Sequence, residues 1–489
     1  MMVRVQYDLT IIGGGSAGLT AAHLAQALGS KVLVIDKKRL GGDCLHYGCV
    51  PSKSLIHVAR MAWARQVDAR LGLSSRYEGV DMAGVSAYIQ DVIARVAAEE
   101  KAYTEGVTVR YGDVSFISPM RLRLNDEEIG SDNVLIATGS HPAIPAIEGL
   151  RETGYVTNED VFDLTALPAS LIVAGGGPVG VELAQAFGRL GTNVVIVQGP
   201  DRLLPREDPE VSERITGILK SEGIEIVTNT RVVKTYRSAS GKKMVVARRG
   251  ELMLRIEADE LLLALGREPN IDGAQSGSDR AGLNLEAAGV RYSKKGIIVN
   301  EYLQTSAAHI FALGDVIGGY QFTHVASYQA GVAVRNALVP IFKQKVDYRV
   351  VPRCTFSDPE VASVGLTVSE ALHQYKHVHV SKLPWAAIDR AQTAGETKGF
   401  IKLVLAGKKE EIVGAHMVGS GAGELLGEIA LAMQHHLTIN DIMNTIHPYP
   451  TLGTGLQQVA FEAYLHGPQT VRNRKLINQL ARIRLLGNS

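Results

Sequence analysis

Cysteine is nearly absent from this chain: there are three in 489 residues, and two of them stand five positions apart. So small a supply argues against the disulfide framework of a secreted protein and for an intracellular chain with one dedicated thiol pair, Cys44 and Cys49. Net charge is equally scarce. The 51 basic and 50 acidic residues leave +1, which gives no electrostatic footprint for nucleic acid. No apolar run approaches the ~18 residues a membrane span needs. The opening MMVRVQYDLTIIGGG enters a glycine turn directly, without the apolar core of a secretory signal. The expected location is the cytoplasm. What the chain does have is length, too much for one hydrophobic core, so two to four domains of roughly 100 to 200 residues are expected.

A pattern then occurs twice. Tyr7 to Ile12 is a short apolar strand, followed by Gly13-Gly14-Gly15-Ser16-Ala17-Gly18, a helical stretch to Leu28 and the strand Val32 to Ile35. Leu171 to Ala174 leads likewise into Gly175-Gly176-Gly177-Pro178-Val179-Gly180, a helical stretch to Leu190 and the strand Val194 to Val197. In each unit the first glycine allows a tight turn, the second (Gly15, Gly177) a close backbone approach to a pyrophosphate at a helix N-terminus, and the third (Gly18, Gly180) close helix-strand packing. Asp36 and Gln198 both lie 23 positions after the first glycine of their unit. Asp36 suits the hydroxyls of an adenosine ribose. Two such units imply two dinucleotides, and a flavin with a nicotinamide is the economical pairing for hydride chemistry. Ser16, Lys37 and Gly42 join the first cofactor site as candidates, and Gly266 the second. Helical, charged sequence is expected from Met61 to Lys101.

The thiol pair lies in Gly41-Gly42-Asp43-Cys44-Leu45-His46-Tyr47-Gly48-Cys49-Val50-Pro51-Ser52-Lys53. Half of a zinc site is one reading, but only Cys354 remains to complete it, so no metal site is expected. Pro51 suits the first turn of a helix, which would put Cys49 at a helix N-terminus, where the dipole favours the thiolate. A low-pKa thiol beside a partner thiol is a dithiol/disulfide redox centre.

From Tyr7 to about Ala463 the chain resembles the FAD-dependent pyridine nucleotide-disulfide oxidoreductases, on the strength of Gly-Gly-Asp-Cys44-x4-Cys49-Val-Pro-Ser-Lys53. The resemblance implies an α/β fold with two Rossmann-like dinucleotide-binding domains, for FAD and NAD(P), and a C-terminal α+β interface domain. The expected division is 1–150 and 276–350 for FAD, 151–275 for NAD(P), 351–470 for a homodimer interface and 471–489 for a basic terminal helix. It also implies that Cys49 stacks on the flavin and Cys44 meets the substrate. Lys53 matches the family lysine near the flavin and Glu182 its ion-pair partner. Thr138-Gly139 matches a backbone contact to FAD, and Gly314-Asp315 the second FAD motif.

Two places depart from the family. The disulfide reductases carry a histidine, supplied by the partner subunit, as acid-base for the interchange thiol, with a glutamate five positions on. Here Tyr449 fills the histidine's place and Thr454 the glutamate's, within His447-Pro448-Tyr449-Pro450-Thr451. A phenol of pKa ~10 is a poor proton shuttle near neutrality. His447, two positions away, is the local substitute. Tyr449 and Pro205-Arg206-Glu207-Asp208-Pro209 resemble mercuric reductase, although the vicinal cysteine pair and the N-terminal metal-binding module of that class have no counterpart in this sequence. The expected function is therefore electron transfer from NAD(P)H through FAD to a metal ion, quinone or other acceptor. The alternatives are a lipoamide dehydrogenase-type reductase and a low-turnover redox sensor. Uncharged Gln198, with Arg202 and Arg206 just beyond, leans toward NADPH, with NADH as the alternative. The segment Arg472 to Leu486, with five basic residues and no acid, is read as a docked helix, with a membrane-surface contact as the second choice.

Overall fold

A computed structural model describes residues 6–67, 71–73, 78–271, 282–467 and 470. The basic terminal segment and the expected boundary at 275/276 lie outside the described residues.

The first repeated unit forms the strand Gln6–Ile12, the helix Ser16–Ala27 and the strand Val32–Asp36. The two strands pair in parallel, Leu9 beside Val32 and Ile12 beside Ile35. On its other side Gln6–Ile12 pairs in parallel with Glu127–Ile136, which also holds Ile310–Ala312. One sheet is thus built from widely separated parts of the chain, and this brings Gly314-Asp315 beside the first glycine turn. The second unit, Ser170–Ala174, Pro178–Leu190 and Asn193–Val197, lies in a four-stranded parallel sheet with Glu225–Val227 and Glu260–Leu263. Its strands bury apolar side chains on both faces, as parallel sheets covered by helices do. The fold is α/β with two such units, followed by a five-stranded antiparallel sheet carrying helices, Arg353 to His466.

The stretch expected to be helical from Met61 to Lys101 is two helices, Cys49–Val67 and Met82–Glu100. Asp81 starts the second by accepting a hydrogen bond from Ala83 N. Leu55 and Ala59 of the first helix are 1% exposed and share one hydrophobic cluster with Val181, Ala184 and Phe187 of Pro178–Leu190. Burying a leucine of this kind contributes roughly 1.5 to 3 kcal/mol. The helix that begins at Cys49 is thereby fixed against the second dinucleotide unit. No helix among the described residues is long and apolar enough to cross a membrane.

The Arg206-Glu207-Asp208 segment joins the second unit to the antiparallel sheet. Glu207 accepts hydrogen bonds from Arg353 Nε at 2.7 Å and from Ser363 Oγ at 2.5 Å. Lys402 Nζ donates to Asp208 Oδ1 at 2.6 Å, with both side chains almost wholly buried. Removing one partner of a buried pair leaves the other charge uncompensated. Lys402→Met should therefore cost about 3 kcal/mol by denaturant unfolding, and the double substitution with Asp208→Asn, which removes the charge but keeps the acceptor that caps the helix Pro209–Ser221 through Glu210 N, should recover much of it. An unchanged midpoint for Lys402→Met would show that water reaches the pair.

Candidate active site

The glycine turns are built by contacts that only glycine permits. Gly13 has φ +106°, and a Cβ there would stand 2.3 Å from Ala137 O; Gly175, at φ +115°, would meet Ala264 O at 2.2 Å. The residue 23 positions on closes each turn. Gly14 N donates to Asp36 Oδ2 at 2.8 Å, and Gly176 N to Gln198 Oε1 at 2.7 Å. The redox segment is laid over the first turn. Gly41 N donates to Gly14 O at 2.8 Å, and a Cβ on Gly42 would come within 2.7 Å of Gly15 Cα.

Both turns open into one cavity of about 1700 Å³. That exceeds the ~300 to 1000 Å³ usual for a single small ligand. The helices Ser16–Ala27 and Pro178–Leu190 point uncapped N-termini into it, since neither Gly15 nor Gly177 offers a capping side chain. Gly13, Gly15, Ser16, Asp36, Lys37, Gly42, Thr138, Gly139, Gly314 and Asp315 line one part, and Gly175, Gly177, Gln198, Arg206 and Gly266 another. The bare Gly15–Gly42 cradle, the two helix N-termini and the cavity's size fit two dinucleotides. Gly18 and Gly180 lie off the wall, packed against the carbonyls of Gly13 and Gly175.

The redox helix starts at Cys49 itself. Cys44 lies in the preceding short helix Gly42–His46, close enough to Cys49 for a thiol hydrogen bond, and both line the cavity. That hydrogen bond from Cys44 is the main reason the Cys49 thiol is held down to about 6, with Lys53 and Thr323 adding to it against the opposing effect of burial. The same bond, followed by burial, pushes the Cys44 thiol well up. Both directions favour the thiolate at Cys49 and the proton on Cys44. Thr323 Oγ1, 3.8 Å from Cys49 Sγ, opens the helix Thr323–Leu338, so the sulfur faces a second helix N-terminus.

Lys53, one turn into the redox helix, donates to Glu182 Oε2 at 2.9 Å and lies over the Phe356 ring. Burial opposes its charge, but Glu182 and then Cys49 more than offset this and hold the ammonium above its ordinary range. Glu182 Oε1 accepts from Phe356 N at 2.8 Å. The pair therefore joins the two dinucleotide units and the antiparallel sheet at one point.

Several site residues were not singled out from the sequence. Arg267 donates through Nε to Ser140 Oγ at 2.7 Å and sits 3.1 Å from Asp43 Oδ1, while Ser140 Oγ donates to Asp315 Oδ2 at 2.5 Å. Burial raises the Asp315 carboxyl, and Ser140 and Arg267 counter it. One guanidinium thus links the redox loop to the Gly314-Asp315 motif. Cys354 also lines the cavity, with its thiol pushed up by burial. Among the described residues no cluster of ligating side chains suits a metal ion.

Three candidates lie elsewhere. Arg202 is off the cavity wall, because its guanidinium turns back to donate to Pro205 O at 3.1 Å. His447 lies away from the cavity of the described chain. It is buried, with Nδ1 against Thr445 O at 2.8 Å and Nε2 against Glu428 Oε1 at 3.0 Å, so both ring nitrogens are engaged. Tyr449 is 74% exposed, outside the cavity, and its hydroxyl donates to Asp389 Oδ2 at 3.1 Å. That carboxylate raises the phenol further from neutrality.

Residues 7–330 match the pyridine nucleotide-disulphide oxidoreductase family, and residues 351–460 match its dimerisation domain. A mercuric reductase of Staphylococcus aureus is 36% identical over 460 residues, covering 93% of this chain and 82% of the relative. A dihydrolipoyl dehydrogenase of Bacillus subtilis (strain 168) is 34% identical over 487 residues, 94% of this chain and 98% of the relative. Among solved structures, the HOCl-induced flavoprotein disulfide reductase RclA from Escherichia coli superposes with a TM-score of 0.81 at 28% identity, covering 93% of this chain and 99% of that one. A Cu(II) complex of the same enzyme gives 0.80 over 92% and 98%. With its glycine turns, thiol pair and dimerisation domain, the chain belongs to the pyridine nucleotide-disulphide oxidoreductase family, flavoprotein enzymes that use FAD and NAD(P)H.

Proposed function

We propose that this oxidoreductase passes electrons from NAD(P)H to a soft metal ion or a quinone, and that it is a poor reductant of small disulfides. The observation that carries this reading is Tyr449 in the place of the family histidine, with His447 buried against Glu428 and Thr445. FAD, when bound, supplies two-electron exchange with the nicotinamide and with the Cys44-Cys49 pair. Gly13, Gly15, Asp36, Thr138 and Asp315 would hold it, and Gly175, Gly177 and Gln198 the nicotinamide dinucleotide. Lys53 and Glu182 hold their charges in fixed relation beside Cys49.

The proton inventory separates the acceptors. Exchange with a disulfide needs a base to free the Cys44 thiolate and an acid to protonate the leaving sulfur. Tyr449 and Thr454 suit neither task, and Thr454 Oγ1 is already committed to Thr451 O at 2.7 Å. A soft ion bound by both sulfurs displaces the Cys44 proton by its own charge, and a quinone needs no thiol exchange. The relatives named mercuric reductase and the Cu(II) complex of RclA support the metal reading.

The reading includes a homodimer in which Tyr449 faces the partner's thiols. Ile446, 94% exposed, and Tyr449 itself are apolar or aromatic surface that a second subunit would cover. The segment 1–150 with 276–350 is the FAD domain, 151–275 the NAD(P) domain and 351–470 the interface domain, and the cytoplasm is where such a thiol pair stays reduced. Steady-state NAD(P)H oxidation with lipoamide, glutathione disulfide, Hg2+, Cu2+ and quinones decides the acceptor, using wild type and Tyr449→Phe. Metal ions or quinones should exceed the disulfides in kcat/KM by at least about a hundredfold, the usual worth of a general acid-base. Efficient lipoamide reduction by both proteins would overturn the proposal.

A further inference from the structure

The second dinucleotide unit brings Arg206, a candidate from the sequence, together with Arg231, which no motif announces. Strand Asn193–Val197 ends at Gln198, and the chain beyond it is stitched to the hairpin strand Arg231–Arg237. Thr230 N donates to Gln198 O and Asn229 N to Pro200 O, each at 2.9 Å. Arg231 is thereby set beside position 198, with Cγ and Nε 3.5 and 3.7 Å from where a Cβ on Gly199 would stand. Between these points the loop folds back onto the glycine turn, Leu204 N donating to Gly176 O at 2.9 Å. This brings Arg206 to the same end of the cavity, whose wall includes Gln198, Gly199, Arg206, Thr230 and Arg231.

The charges here are unbalanced. Among the described residues the structure gives neither Arg206 nor Arg231 a side-chain hydrogen bond or ion pair, and both are exposed to the cavity. The nearest acid in sequence, Glu207, is buried at the cavity wall and its carboxylate is taken up by Arg353 and Ser363. Gln198 is neutral and buried, with Oε1 on Gly176 N and Nε2 donating to Arg202 O at 3.1 Å. The first unit has Asp36 at this place, a charge that would repel a phosphate. Its neighbour Lys37 is neutralised by Asp113 at 2.7 Å. One fold thus presents the same position once with an acid and once with two free guanidinium groups, and guanidinium forks suit phosphate oxygens.

We propose that Arg206 and Arg231 bind the 2′-phosphate of an adenosine ribose, so that the chain selects the phosphorylated nicotinamide dinucleotide, NADPH, over NADH. The proposal rests on the placement of the nicotinamide dinucleotide at the second glycine turn. Arg353 is a positioning residue for it, since it holds Glu207 and approaches Arg206 O at 3.4 Å.

The test is isothermal titration of the FAD-loaded protein with adenosine 2′,5′-bisphosphate and with 5′-AMP, alongside kcat/KM for NADPH and NADH. Wild type should bind the bisphosphate at least about tenfold more tightly than 5′-AMP, and Arg206→Gln and Arg231→Gln should each remove about tenfold of that preference, the worth of a charge-assisted bond. The NADPH-to-NADH ratio should fall in parallel, whereas Arg202→Gln should keep it. Equal affinities in wild type, or a preference unmoved in both variants, would overturn the clamp. Selective bisphosphate binding without oxidation of either nucleotide would sustain the clamp and sink the oxidoreductase reading.

Discussion

Replacing Cys49 by serine should abolish turnover with disulfides and soft metal ions, by at least about a thousandfold, as loss of a nucleophile that acts as part of a unit does. Replacing Cys44 should be as damaging to these acceptors but should leave a different spectrum. The Cys49 thiol is held down to about 6, so in Cys44→Ser it remains a thiolate at neutral pH and gives a long-wavelength absorption band beside the oxidised flavin. The serine hydroxyl still donates to the Cys49 sulfur, the role that Cys44 plays in the wild type. As pH falls through about 6 the sulfur takes up a proton and the band should fade; above that it should be constant. Cys49→Ser should show no band at any pH. A quinone reduced directly by flavin bypasses the pair, so survival of quinone turnover in both variants would separate the two proposed acceptor classes. Wild-type spectra and turnover in both would make the pair structural.

Much of this site is legible in the sequence because it is local. The two glycine units are short, each begins a helix from the end of a parallel strand, and the equivalence of Asp36 and Gln198 follows from equal spacing. In the structure both close their turn in the same way, on Gly14 N and Gly176 N. Pro51 announced a helix start, and the helix begins two residues earlier, at Cys49. What sequence did not reveal is what distant segments contribute. Arg267, Thr323 and Arg231 reach the cavity from a short strand, a helix start and a hairpin whose neighbours in sequence say nothing of the redox pair. Proximity in sequence also misled. Arg202 lies nearer to Gln198 than Arg206 does, yet the backward fold of the loop spends its guanidinium on Pro205. His447, two positions from the expected histidine, is captured by Glu428 on a helix that the motif does not include.

Breaking the Lys53-Glu182 pair should have the second large effect, and the two halves of the pair should fail differently. Lys53→Met leaves Glu182, whose side chain is 6% exposed, with a buried charge and Phe356 N as its remaining donor. Breaking a fully buried pair costs about 3 to 5 kcal/mol. A third of the Lys53 side chain is exposed, so solvent screens part of this and about 2 kcal/mol is expected, seen as a fall in Tm of a few degrees. The same substitution removes a positive charge that favours the Cys49 thiolate, so the midpoint of its band should move to higher pH. Glu182→Gln does the reverse to the sulfur. It removes a negative charge that opposes the thiolate, leaves one amide oxygen to accept from Phe356 N while the Lys53 ammonium loses its acceptor, and should shift the midpoint to lower pH. Titrating the absorption band of Cys44→Ser in each background reads the two shifts directly. Opposite signs are required: if both substitutions move the midpoint the same way, or neither moves it, the pair braces the helix against the second unit without tuning the thiolate.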